Sequence, residues 1–285
     1  MKNIIKEVLK WILPYNVIIF LIDNYVWFQL MLKNPLNIIS YLCLLKANNA
    51  YKNIYNDNRC FIMCTGPSIN KQDLSVLKNE IVFGVSTGYL HKQYSEVSPK
   101  YHIIPPVEYS EKLGFDEAEE LFKEMDANTS KDTEFFFSIT DCDFIKRLKL
   151  FKGKKVNYVA FSGDMKNSFR FDITKTVPGV QSVPIMGIML AMYMGFKEIY
   201  LLGCDHDSVV TNKYVHAFTV KDTDPSCDKD GIIIDKTDNY ISTGRLFEQY
   251  RIISGEANKR NVRVFNVTDG GELEIFPRLD LERLF

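Results

Sequence analysis

The sequence is short of several things, and each shortage narrows its chemistry. It has almost no net charge: 35 Lys+Arg against 36 Asp+Glu give −1. Bulk electrostatic capture of nucleic acid is therefore excluded, and only a local basic patch stays compatible with it. No C-x-x-C occurs, and the six cysteines, Cys43, Cys60, Cys64, Cys142, Cys204 and Cys227, are scattered without zinc spacing. Cys60 and Cys64 fall in an expected strand, where four residues span about 13 Å, too far for a disulfide. Six reduced thiols in a cytosolic protein is the reading this gives. Neither G-x-G-x-x-G nor a Walker A loop is present, so neither dinucleotide nor P-loop chemistry follows. Histidine is scarce, with only His91, His102, His206 and His216. What is there is a chain of 285 residues, 46% hydrophobic and 25% charged. That is enough for one large α/β domain with a substantial core, and it excludes collagen, low complexity and global disorder.

Residues 1–50 differ in character from the rest. Lys2, Lys6 and Lys10 precede an apolar run from Trp11 to Ile22; Asp23 and Asn24 interrupt it, and Tyr25 to Leu32 resumes it. Neither run reaches the ~20 residues that span a bilayer, and no small-residue cleavage site follows Ile22. The pattern fits helices lying in a membrane interface, with Trp11, Tyr25, Trp27 and Phe28 at headgroup depth and lysines toward phosphate. An ordinary pair of core-packing helices is the competing reading. The polar, Asn-rich stretch 48–59 reads as a linker into the main domain, which runs from 51 to 285.

From Cys60 onward strand and helix signals alternate. Strands are expected at 60–64, 81–85, 101–104, 134–139, 156–161, 198–202 and 262–266. Helices are expected at 117–125, 184–194 and 244–259, the second closed by Gly195. Such alternation predicts an α/β fold: a Rossmann-like parallel sheet with helices on both faces, preceded by membrane-associating N-terminal helices. Ligands bind beyond the carboxyl ends of strands in such sheets.

Five strand-end constellations could carry chemistry there. Thr65-Gly66-Pro67-Ser68 follows the first strand: glycine permits close backbone approach, proline stiffens the turn, and Ser68 can cap a helix or donate to phosphate. Ser86-Thr87-Gly88 ends the second strand. Gln181 and Ser182 sit at the N-terminus of an apolar helix, a second anion site. Asp205-His206-Asp207 sets two carboxylates around an imidazole; Asp-x-Asp can hold Mg²⁺ or Mn²⁺ on a nucleotide diphosphate, or position an acceptor. Tyr214 and His216 follow in a polar stretch, where His216 is placed as a general base. The acidic, turn-rich segment 219–239 reads as a lid.

Taken together, the strand and turn at 60–68, the run Gly195-Phe196-Lys197-Glu198-Ile199-Tyr200-Leu201-Leu202-Gly203-Cys204-Asp205, the later Tyr and His, and the closing stretch 265–278 resemble a known group. They are similar to bacterial lipo-oligosaccharide sialyltransferases and, more closely, to flagellin-modifying, motility-associated glycosyltransferases of polysaccharide loci. The resemblance covers roughly 58–278. It implies a Rossmann-like fold of variant GT-A type, a CMP-linked nine-carbon acidic sugar as donor, and no essential metal. It implies nucleotide contacts at Gly66, Pro67, Ser68 and Ser86, and a phosphate-neutralising role for Tyr214. The family's Asn before the Gly-Pro turn is Thr65 or Cys64 here, its Asn at the second strand end is Ser86, and one phosphate-side Tyr is Asp207. Archaeal pterin pyrophosphokinases form a related family, whose need for Mg²⁺ Asp205 and Asp207 would suit. The resulting expectation is a glycosyltransferase peripheral to the cytoplasmic face of the inner membrane. It would pass sugar from a nucleotide-sugar donor to a glycan or lipid-linked acceptor, with homo-oligomerisation left open. The alternatives are a Mg²⁺-dependent hydroxymethylpterin pyrophosphokinase and a non-catalytic nucleotide-binding relative.

Overall fold

In the computed structural model, which describes residues 14–107, 115–166, 169–211, 213, 217 and 232–285, the main chain builds one sheet of eight strands. They are β1 (Arg59–Met63), β2 (Val82–Val85), β3 (Tyr101–Ile103), β4 (Glu134–Ser138), β5 (Val156–Asp164), β6 (Thr176–Gly179), β7 (Glu198–Leu202) and β8 (Arg263–Asn266). Their order is β6-β5-β4-β3-β2-β1-β7-β8, and every pairing is parallel. This is the Rossmann-like α/β fold that the alternation predicts. Strands in such a sheet are apolar on both faces because helices cover both. In β1, Cys60 and Ile62 enter one core while Phe61 and Met63 enter the other.

The first of these faces is covered by the helix Val183–Met194, buried throughout from Pro184 to Met194 and stopped by Gly195 at φ +96°. Behind it lies the helix Lys236–Asn258, whose start is capped by Asp235, the carboxylate accepting from the N–H groups of Thr237 and Asp238. This helix begins eight residues before the expected 244, because the acidic start that reads as loop is a cap and first turn. The strand β6 was not expected, since Pro178 argues against a strand. It lies at the sheet edge, where proline does no harm. The helix Cys142–Leu148 was also unforeseen.

Among the described residues the N-terminal stretch forms three helices, Tyr15–Asp23, Tyr25–Lys33 and Ile38–Ala47, laid against β5. Val26, Leu30, Tyr41 and Leu45 are buried in the second core. Ser162 Oγ donates to Ile22 O at 2.6 Å, Arg170 pairs with Asp23 at 2.6 Å, and Tyr41 OH donates to Asp143 at 2.5 Å. Trp27, expected at headgroup depth, turns inward instead: its indole N–H donates to Thr176 Oγ1 at 2.8 Å. A ring whose polar edge finds a partner inside the fold has no need of an interface. Tyr25 and Phe28 do face outward. Trp11, Lys2, Lys6 and Lys10 lie outside the described residues. No described helix is long and apolar enough to cross a membrane. Asn48, in the stretch read as a linker, is a core residue: its side-chain amide donates to Tyr158 O and Ile173 O at 2.8 and 2.9 Å.

Candidate functional site at the strand ends

The strand order reverses direction between β1 and β7: the chain moves outward from β1 through β6, then returns to place β7 on β1's other side. That is the topological switch point, where open α/β sheets leave a crevice. The turns that follow β1 and β7 meet there. Cys64 N–H donates to Leu202 O at 2.9 Å and Gly66 N–H donates to Gly203 O at 2.8 Å.

Asp205 is at the centre of this meeting. Its side chain is buried, and Ser68 N–H donates to its Oδ2 at 3.4 Å. A methyl group on Gly66 would collide with that carboxylate and stand 2.5 Å from Gly203 O. Glycine is therefore required at 66 by the Asp205 side chain. From the other side, a Cβ on Gly271 would stand 2.6 Å from Asp205 O, and Glu272 N–H donates to the same carbonyl at 2.7 Å. Burial raises the Asp205 carboxyl above the usual carboxylate range, and the charges of Asp207 and Cys204 push the same way. Ser68 Oγ is buried and has no hydrogen-bond partner.

Beside Asp205 lies a polar cluster that the sequence does not announce. His206 takes φ +52°, uncommon for a residue with a side chain. Its Nε2 is 2.8 Å from Tyr250 OH and 3.2 Å from Cys204 Sγ; Cys204 Sγ is also 3.3 Å from Tyr250 OH. Burial pushes the Cys204 thiol up, but Cys64, His206 and Tyr250 together outweigh it and hold the thiol well below its ordinary range. Burial opposes charge on His206, and the negative charges of Cys204, Asp205 and Asp207 overcome it, raising the imidazole. Each shift favours the charged form of its own group, and the contact between them supports both. Tyr250 arrives from the middle of a helix nearly fifty residues downstream, and no spacing in the sequence links it to Cys204. The one available hint is that His206 is an imidazole at a strand end between two carboxylates.

The second strand end is held differently. Ser86 adopts φ +49°, and its carbonyl lies 2.8 Å from His102 Nε2, whose Nδ1 is 2.7 Å from Tyr94 OH. Burial holds His102 down to about 4, so its ring is neutral. A carbonyl only accepts, so Nε2 carries the proton and Nδ1 accepts from Tyr94. His102 thus fixes Ser86 in its strained conformation, the kind of constraint that gathers at functional loops.

The other expected residues fall around this centre. Thr65 O accepts from Ala217 N–H at 2.8 Å, and Asn70 Nδ2 donates to Ala217 O at 2.8 Å. The residue next to His216 is thus tied to the Gly-Pro-Ser turn, while His216 and Tyr214 themselves, and most of the 219–239 segment, lie outside the described residues. Asp207 is half-buried and opens the short helix Ser208–Thr211, its carbonyl accepting from Val210 and Thr211 N–H. Ser182 occupies the N-cap of the helix Val183–Met194 with no capping side-chain bond. Gln181 is exposed, and its N–H donates to Gln249 Oε1 at 2.8 Å. Among the described residues no group of three or more His, Cys, Asp or Glu is placed to hold a metal ion. Of the two Asp205 oxygens, Oδ2 is the one that Ser68 N–H meets.

Comparison with known proteins adds a family. No curated protein matches the chain. Among solved structures it is similar to the MAf glycosyltransferase from Magnetospirillum magneticum AMB-1, at 17% identity and a TM-score of 0.44, over 83% of this chain and 38% of that one. The chain therefore spans well under half the length of that protein. Residues 32–210 match the family model described as 6-hydroxymethylpterin diphosphokinase MptE-like. That match takes in β1 to β7 and the turns that meet at the switch point, and it covers more than half of the sequence, so the chain belongs to the MptE-like family.

Proposed function

We propose that the protein is a transferase that holds a nucleotide-activated donor across the β1/β7 switch point and passes the activated group to an acceptor hydroxyl. The observation that carries this reading is the convergence there of the Gly66-Pro67-Ser68 turn with Asp205 and His206. Ser68, whose buried hydroxyl lies beside the Asp205 carboxylate, and Ser86, held by His102, contact the nucleotide. His206, whose imidazole its neighbours hold toward the charged form, lies beside the turn that would meet a departing phosphate, where a cation aids such a step. His216, next to the anchored Ala217, takes the proton of the attacking hydroxyl. Tyr214, Gln181 and Ser182 face the phosphate or sugar, and Asp207 positions the acceptor. The donor is a nucleotide sugar, CMP-linked by the resemblance in the sequence, and the acceptor is a surface glycan.

A second reading comes from the family itself. A 6-hydroxymethylpterin diphosphokinase moves diphosphate from ATP to a hydroxymethyl group, also an acceptor hydroxyl. Thermal-shift measurements separate the two. CMP, CDP, UDP, GDP and ATP are each added with and without Mg²⁺, and a ligand at 100 times its Kd stabilises by about 2.7 kcal/mol. Stabilisation by CMP without metal is the expected result, lost in Ser68→Ala. A shift confined to ATP with Mg²⁺ would establish the diphosphokinase reading in its place, and no shift with any nucleotide would overturn both. His216→Ala is expected to lower turnover about 10²-fold or more with nucleotide binding intact. Unchanged turnover would remove His216 from the mechanism.

A further inference from the structure

The three N-terminal helices are apolar on both sides. Their inner stripes, Val26 and Leu30, then Tyr41 and Leu45, are buried against the sheet. Their outer stripes carry Val17 and Phe20 on the first helix, Tyr25, Phe28, Met31 and Leu32 on the second, and Ile39 and Leu42 on the third. Each set repeats at intervals of three or four residues, so each lies along one helix face. Leu36, in the turn between the second and third helices, is 92% exposed, Leu32 is 84% and Ile39 is 75%. A surface helix in water normally turns charged residues outward, and one that is apolar all round is normally covered all round. Among the described residues the sheet covers one side and nothing covers the other.

The charges on this layer are of one sign where they face out. Lys46 is exposed at the end of the third helix, and Asp23, the layer's single acidic residue in 14–47, is paired with Arg170. The thirteen residues just before the layer contain Lys2, Lys6 and Lys10 against the single acid Glu7. Large aromatic and aliphatic side chains flanked by lysines, on helices too short to span a bilayer, make the chemistry of an interfacial surface. Lysines near such a surface favour anionic headgroups. The layer also meets the sheet at the end where the site lies, on β5, which β4, β3 and β2 separate from β1. Ile22 and Asp23 meet Ser162, Gly163 and Arg170 at the carboxyl end of β5, the same end of the parallel sheet at which the β1/β7 crevice opens.

We infer that the outer face of the helices at 15–47 docks on an anionic lipid surface, with Phe20, Phe28, Leu32, Leu36 and Ile39 inserted among the headgroups. The strand-end crevice is then held close to that surface, within reach of an acceptor carried on lipid. This inference does not depend on the identity of the donor.

The test is flotation of the full-length chain with vesicles of phosphatidylglycerol and phosphatidylcholine, and with phosphatidylcholine alone. Binding to the anionic vesicles, weakened by salt, is expected. The double variant Leu32→Glu/Leu36→Glu is expected to lose at least tenfold in partitioning while keeping its melting temperature, because both side chains are in solvent. A second measurement needs no disruptive variant. Cys43 is exposed on the outer side of the third helix, and among the described residues the other cysteines are buried. An environment-sensitive dye on Cys43, in a Cys227→Ser background, is expected to shift to the blue with anionic vesicles. Failure of the wild-type chain to float with either vesicle, or a dye unmoved by lipid, would overturn the inference. So would a stable dimer in solution that the Leu32→Glu/Leu36→Glu change dissolves, since a second copy would then be the cover. None of these results bears on the nucleotide measurements above.

Discussion

The helix Val183–Met194 and the helices between Tyr15 and Ala47 are built from the same residues: Leu, Ile, Met, Val and aromatics, with hardly a charge. The first is buried on every side because the sheet lies beneath it and the helix Lys236–Asn258 lies behind it. The others have the sheet beneath and nothing of the described chain behind. Sequence alone cannot tell them apart, because the difference belongs to a third element. What it teaches is that apolar helices report how many sides need cover, while the fold decides how many the chain itself supplies.

The comparison can be broken at several points. The largest effect is expected from Leu190→Ala, in the doubly covered helix: truncating a fully buried leucine should cost about 2–5 kcal/mol in urea unfolding. A loss under about 1 kcal/mol would mean that this covering is not packed as described.

A second test lies where the N-terminal layer meets the sheet. Asp141 is buried near Lys33, and burial raises its carboxyl to about 7, against the pull of the Val107 N–H and of Lys33. In the unfolded chain it titrates near 4. The native state therefore holds the extra proton between about pH 4 and 7, and this group's contribution to stability falls as pH rises through that window. His102 acts in the opposite sense, its contribution being lost as pH drops from about 6.5 toward 4. Asp141→Asn should remove the first slope and leave the second. The stability of the variant relative to wild type should thus grow from pH 4 to 7 and level off above. A difference independent of pH would refute the assignment.

Smaller effects sharpen the contrast. Gly244 lies on the outer side of the helix Lys236–Asn258, with nothing within 4 Å of an added Cβ. Gly244→Ala should therefore stabilise by about 0.5–1 kcal/mol through helix propensity. Leu36→Ser should change folding stability by less than about 0.5 kcal/mol, because a side chain 92% exposed has no packing to lose. A large loss at Leu36 would show that the chain covers that face after all.

Most of the sheet was legible in the sequence because its strands are short apolar runs ending in Gly, Pro and Ser. β7 at 198–202 falls where the pattern puts it. β6 was not legible, since Pro178 and Gly179 punctuate it and only an edge position makes them acceptable. At the site, Gly66 was legible as a position of close approach, but not that Asp205 is what approaches. The Cys204–His206–Tyr250 cluster was illegible for a plainer reason. Its members belong to a strand end and a distant helix, and nothing local relates them. Trp27 misled because an aromatic beside an apolar run looks the same in sequence whether its ring meets lipid or Thr176.

The clamp on Asp205 has a consequence for the order in which the protein becomes competent. Its carboxylate rests on Gly66, and its carbonyl on Gly271 and Glu272. The crevice is thus closed by three segments drawn from the first quarter, the last third and the final fifteen residues of the chain. The segment that carries the family likeness stops at 210, before the last of these has been made. A ribosome releasing the chain from its beginning would expose the Gly66-Pro67-Ser68 turn long before anything could lock β7's end in place. Closing loops of that length is slow. A chain cut short after residue 210 would carry the family's features in its sequence but lack Glu272, whose N–H satisfies the Asp205 carbonyl.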